Sequence, residues 1–95
     1  MSLTVKFIGA LRHISGKTQL TIGFKAGASI KTIVETINQE LPQLKHIFPN
    51  GSEPNGNHSN LLILVNGKEI SALDGYETKL DNGDEIVFVP VIHGG

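Results

Sequence analysis

The sequence predicts an α+β fold, a four- to five-stranded mixed sheet with one main helix on one face. Three observations carry the prediction. Residues 3–8 and 19–24 alternate apolar and polar side chains at the period of a strand. Residues 61–65 and 85–91 are short, nearly continuous apolar runs, too short for helices and suited to strands. A single stretch, from residue 30 to 41, repeats at the period of a helix, and no strand–helix–strand unit recurs.

In the first strand, Leu3, Val5 and Phe7 oppose Thr4 and Lys6, and Ile8 breaks the polar side. In the second, Leu20, Ile22 and Phe24 oppose Gln19, Thr21 and Gly23. Ser15-Gly16-Lys17 supplies turn chemistry between them, so the pair reads as an antiparallel hairpin with a loop longer than the tightest type. Ser29 follows the breaker Gly27 and can cap a helix. Ile30, Ile33, Val34, Ile37 and Leu41 then form one apolar stripe, and Pro42 ends it. Leu44, Ile47 and Phe48 are expected to fold back over the core's edge.

Residues 49–60 hold no large apolar side chain and read as a flexible surface loop. Two N-x-S matches there, Asn50-Gly51-Ser52 and Asn57-His58-Ser59, are ordinary loop composition. Leu61–Val65 is expected to be buried on both faces. Asn66-Gly67 is a tight hairpin turn, with Lys68-Glu69-Ile70 as the return strand. Asp74-Gly75 and Asp81-Asn82-Gly83-Asp84 are further turns before the last strand, 85–91. With 61–65 and 85–91 central, and the first and last strands paired in parallel, the order is that of the β-grasp (ubiquitin-like) roll.

Ninety-five residues make one domain, 1–95, with a tail at 92–95. A net charge of -1 gives no basic footprint, so no direct nucleic-acid partner is expected. The chain has no cysteine, which excludes thiolate metal sites, disulfides and a cysteine nucleophile. No stretch approaches the ~20 apolar residues of a membrane span, and the N-terminus lacks a signal peptide, so the expected location is cytoplasmic.

Candidate chemistry within the fold is thin. Gly16-Lys17-Thr18 lacks the upstream glycine of a phosphate loop and opens a strand rather than a helix. His13, His46, His58 and His93 lie far apart, with no pair at helical spacing for a metal. Asp81–Glu85 lacks the alternating ligands of a calcium loop. Glu35 and Glu40 do not share a helix face, and no nucleophile–base pair can be named.

The terminus is different. Gly94-Gly95 directly follows a strand, so its root is held while its tip is free. Residues 92–95 reach about 13–14 Å at the usual rise of an extended chain. Two residues without side chains can thread a channel that would block anything larger. The α-carboxylate of Gly95 is ionised at neutral pH and a poor electrophile, so acyl chemistry requires prior activation, such as an acyl-adenylate. The sequence offers no ATP site, so ATP would be used by a partner enzyme and no cofactor bound here.

Residues 83–95, GDEIVFVPVIHGG, resemble the terminal motif of the ubiquitin-like sulfur carriers, the group that includes MoaD, ThiS, the eukaryotic ubiquitin-related modifier and the archaeal small modifiers. Residues 5–16, VKFIGALRHISG, resemble the opening of the MoaD group, Arg12 and Gly16 included. Pro90 followed by Val91-Ile92-His93 departs from the MoaD tail, and the ending His93-Gly94-Gly95 more closely resembles the ubiquitin-related modifier. The resemblance implies that an E1-like adenylating enzyme activates Gly95 and a sulfur donor converts it to a thiocarboxylate. The partners it implies downstream are the molybdopterin synthase large subunit, a tRNA thiolase, or lysines of target proteins. On this reading the chain is a carrier or modifier and not itself an enzyme; the alternative is a ubiquitin-like binding module with no terminal chemistry.

The residues themselves add a partner surface. Val87 and Val89 should face away from the helix, and Ile8 with them, making an apolar patch beside the root of the tail. Gly95 and Gly94 are thus the expected reactive terminus, and His93, Ile92, Val89, Val87 and Ile8 the expected partner contacts.

Overall fold

The computed structural model describes residues 1–44 and 61–90. The opening alternation makes strand β1 (Ser2–Phe7), with Leu3, Val5 and Phe7 all buried. Strand β2 (Gln19–Gly23) pairs with it antiparallel, from Ser2 opposite Gly23 to Lys6 opposite Gln19. The connection between them is more than a loop: it contains a short helix, α1 (Ala10–Ser15). Leu11 is the reason, for its side chain is buried in the core while Arg12, His13 and Ile14 stay exposed. Gly16 closes α1 in the left-handed conformation at φ 75° and donates its N–H to the Arg12 carbonyl at 2.9 Å. The Ser15 hydroxyl then bonds both the carbonyl and the N–H of Lys17. Gly16-Lys17-Thr18 is therefore a helix stop and strand start.

Helix α2 (Ile30–Glu40) begins after Ser29, whose N–H reaches the Thr32 hydroxyl at 3.4 Å. Ile30, Ile33, Val34 and Ile37 are buried on one face of it, and Leu41 caps its end ahead of Pro42. Pro42–Leu44 forms a single 3-10 turn that buries Leu44. The expected fold-back continues through Ile47 and Phe48, which lie outside the described residues, as does the loop 49–60.

Strand β3 (Leu61–Val65) turns through Asn66-Gly67, both with positive φ, into a two-residue strand β4 (Lys68–Glu69). The return strand is shorter than expected, because Ile70 leaves it to enter a 3-10 turn and be buried. A second such turn, Gly75–Glu77, packs against α2. Strand β5 (Glu85–Pro90) completes a five-stranded sheet in the order β2-β1-β5-β3-β4. It runs parallel to β1 and antiparallel to β3.

The expected mixed sheet, its parallel first and last strands and its single main helix are all present, the order of the β-grasp roll. A further expectation fails. β3 is not buried on both faces: Leu61, Ile63 and Val65 are buried, but Leu62 is 36 % exposed. Among the described residues the helix and the core lie on one side of the sheet, and no layer there covers the alternate residues of this apolar strand.

Candidate functional site

β5 is the middle strand, hydrogen-bonded on both sides, and leads towards the C-terminus. Its beginning is fixed by a network of short-range turns. The Asp84 carboxylate accepts from the Asn66 side-chain amide at 2.9 Å and from the Asp81 N–H at 2.7 Å. The Asn66 side-chain oxygen accepts from the Glu85 N–H at 2.9 Å. Thr4 donates its N–H to the Asp84 carbonyl, and Asn82 accepts from the Ser2 N–H. Asn82, Asp84 and the Glu85 N–H thus hold the start of β5 between β1 and the β3–β4 turn.

Along β5, Ile86 and Phe88 enter the core, and the Phe88 ring stacks on Phe7 with centroids 6.5 Å apart. Val87 and Val89 point the other way and are half-buried. The register sets their neighbours. Val87 lies between Lys6 of β1 and Leu64 of β3, and Val89 lies beside Leu62. Ile8, one residue past β1 and half-buried, donates its N–H to the Phe88 carbonyl at 3.3 Å. The register therefore sets Val87, Val89 and Ile8 on one face, with Leu62 and Leu64 beside them. Sequence alone does not reveal these two, because the run LLILV reads as buried on both faces, whereas its alternate members belong to the open one. Lys6 and Glu85 rim the patch with an ion pair at 2.9 Å.

At the far end of β5, Gly9 adopts φ 61°, strained for any residue with a side chain, and a Cβ there would meet Pro90 Cγ at 3.5 Å. The Arg12 guanidinium Nε donates to the Phe7 carbonyl at 3.0 Å, tying α1 to the end of β1 beside this point. The last described residue, Pro90, thus leaves a braced corner. Ile92, His93, Gly94 and Gly95 lie outside the described residues.

Among the described residues no three His, Cys, Asp or Glu gather as metal ligands, and no helix is long and apolar enough to cross a membrane. Tyr76, in the turn packed on α2, has its phenol pushed up to about 12 by burial. It packs against the core rather than within this patch.

The sheet order and the open face with its braced strand define a ubiquitin-like β-grasp protein. The model of the ThiS family matches residues 5–95, and the chain belongs to that family of ubiquitin-like sulfur carriers and modifiers. It is 29 % identical to ubiquitin-related modifier 1 of Schizosaccharomyces pombe and 27 % identical to small archaeal modifier protein 3 of Haloferax volcanii. Both alignments cover all of this chain and all of the relative. The solution structure of small archaeal modifier protein 1 from Methanosarcina acetivorans superposes with a TM-score of 0.79 at 31 % identity, over 99 % of this chain and 96 % of that one.

Proposed function

We propose that this protein is a sulfur carrier or protein modifier whose working group is the α-carboxyl of Gly95. A partner E1-like enzyme would adenylate that carboxylate: its oxygen attacks the α-phosphorus of ATP, and pyrophosphate leaves. Sulfide delivered by a sulfur donor then attacks the acyl carbon and displaces AMP, leaving a thiocarboxylate, or a target lysine amine displaces AMP to form an isopeptide. The partner supplies ATP and catalysis; this chain supplies the terminus, its presentation and the docking face. No cofactor of its own is required.

The observation that carries the reading is the setting of β5. It is paired on both sides, stacked through Phe88 and locked at its start by Asp84 and Asn66, and in sequence it precedes the five residues that end at Gly95. Five residues span at most ~17 Å, so the anchored strand and the terminus can engage one partner at once. Gly94 and Gly95 offer no side chain to block a narrow channel. Ile92 and His93 set the fit at its mouth, and Val89, Val87 and Ile8, with Leu62 and Leu64, supply the apolar contact.

The family membership supports this chemistry and leaves its destination to be measured. Pterin synthesis through the molybdopterin synthase large subunit, tRNA thiolation and conjugation to lysines all begin from the same activated terminus. Pyrophosphate exchange tests the first step. With the adenylating enzyme of the same cell, the intact chain should drive ATP–pyrophosphate exchange, and the chain lacking Gly94 and Gly95 should not. Equal exchange by the shortened chain would refute the proposal.

A further inference from the structure

The two edges of the sheet are built differently. β4 is only two residues long, both charged, and the chain leaves it at once for a 3-10 turn. Such an edge discourages further strands. β2 has none of these defences. Gln19–Gly23 has no charge, no proline and no bulge, and its register with β1 is unbroken.

The hydrogen-bonding phase of β2 is also fixed. Phe7 donates to the Thr18 carbonyl at 3.0 Å, and Phe24 donates to the Met1 carbonyl at 2.9 Å. In an antiparallel pair these bonds alternate, so Thr18, Leu20, Ile22 and Phe24 bond inward to β1. Gln19, Thr21 and Gly23 therefore turn their N–H and C=O groups outward, with no partner among the described residues. On the core side of the same strand, Leu20 and Phe24 are only partly buried, leaving apolar margins at alternate positions.

Charge decides what fits. Residues 1–34 contain Lys6, Arg12, Lys17, Lys25 and Lys31, and no Asp or Glu. Lys17 and Lys25 bracket β2, both exposed and without a carboxylate partner among the described residues. A second copy would fit badly. Antiparallel pairing of two β2 strands about Thr21 sets Lys17 of each opposite Lys25 of the other, and parallel pairing sets like beside like. Either arrangement brings four lysines to the ends of one new strand pair.

We propose that the outer edge of β2 is a docking site for an extended segment of a partner protein, with apolar residues at alternate positions and acidic residues at its ends. The partner's backbone pairs with Gln19, Thr21 and Gly23. Its apolar side chains cover the margins of Leu20 and Phe24, and its acidic ends meet Lys17 and Lys25. The site is separate from the face of Val87 and Val89, so it can be occupied while that face and the terminus are engaged.

The test is an isotope-labelled full chain titrated with the capped peptide Asp-Glu-Val-Val-Ile-Val-Asp-Glu. Hydrogen exchange at the amides of Gln19, Thr21 and Gly23 should slow by roughly tenfold or more on saturation, as pairing of edge amides requires. Affinity should fall by roughly tenfold or more when the acidic ends of the peptide are replaced by lysine, and likewise for the Lys17→Glu, Lys25→Glu chain. The peptide swap leaves the protein untouched, so misfolding cannot mimic that loss. Unchanged exchange, equal affinity for the two peptides, or shifts centred on Val87 and Val89 would each overturn the proposal. Slowed exchange at the same amides on concentrating the chain alone would assign the edge to a second copy instead.

Discussion

Along β5 the side chains alternate between two environments built from nearly the same residue types. Ile86 and Phe88 are fully buried in the core that also holds the apolar stripe of α2, while Val87 and Val89 sit half-buried on a face with no covering layer among the described residues. Composition does not distinguish these sites; position does. The covered side holds the strand; the open side is equally apolar, and on the proposed reading a partner covers it. A fold whose only requirement was stability would place polar residues at Leu62, Leu64, Val87 and Val89, as antiparallel sheets with one wet face usually do.

The comparison breaks most visibly at Phe88. Truncation by Phe88→Ala removes the stack on Phe7 and opens a cavity beneath α2, and should cost about 3–5 kcal/mol. Thermal unfolding should show the midpoint falling by roughly 12 °C or more. A fall of only a few degrees would mean that the two sides of β5 are not energetically different. One step along, Val89→Asp should leave the melting temperature nearly unchanged, since the carboxylate remains in water. Calorimetric titration should nevertheless show roughly tenfold or greater weakening towards the adenylating enzyme or the downstream synthase. Unaltered affinity would remove the open face from the account. Leu62→Glu should behave in the same way, and sharpens the claim because only the register, and not the run of apolar letters, puts Leu62 on that face.

The sequence made the architecture legible wherever periodicity spoke. The alternation of Leu3, Val5 and Phe7, the stripe from Ile30 to Leu41 and the Asn66-Gly67 turn each formed the expected element. It failed where a pattern was too short to have a period. α1 is six residues long and carries one large buried apolar residue, Leu11, so nothing in a loop-like stretch announced a helix. It failed also at β3, since a strand of five apolar residues reads the same whether one face or two are covered. Of the candidate site, Val87, Val89 and Ile8 came from alternation alone. Leu62 and Leu64 required the pairing of β3 with β5, and the bare edge of β2 required the whole strand order.

Smaller effects refine the picture at its margins. Lys6→Ala breaks the exposed pair with Glu85, and should cost only about 0.2–1 kcal/mol, less still at high salt. Chemical denaturation at two ionic strengths measures it. A loss as large as that of Phe88→Ala would place the rim, rather than the core, in charge of β5. The chain has one tyrosine and no tryptophan, so ultraviolet titration of the phenol reports on Tyr76 alone. Its ionisation should centre at about 12 in the folded chain against an ordinary 10.0. The folded state therefore keeps a proton that the unfolded state releases. Stability should be unaffected by this group below the ordinary value and decline as pH rises from there towards the folded one. Ionisation at the ordinary value would mean that the turn carrying Tyr76 does not pack as described.

The central claim is that the anchored strand exists to present the carboxyl of Gly95. Intact-mass spectrometry after incubation with the adenylating enzyme, ATP and a sulfur donor tests it most directly. The account predicts the gain in mass that accompanies replacement of one terminal oxygen by sulfur. Fragmentation should place the change on Gly95, and it should be lost when one bulky residue is added after that glycine. A native chain that stays at its original mass, or a capped chain that is converted as readily, would contradict it.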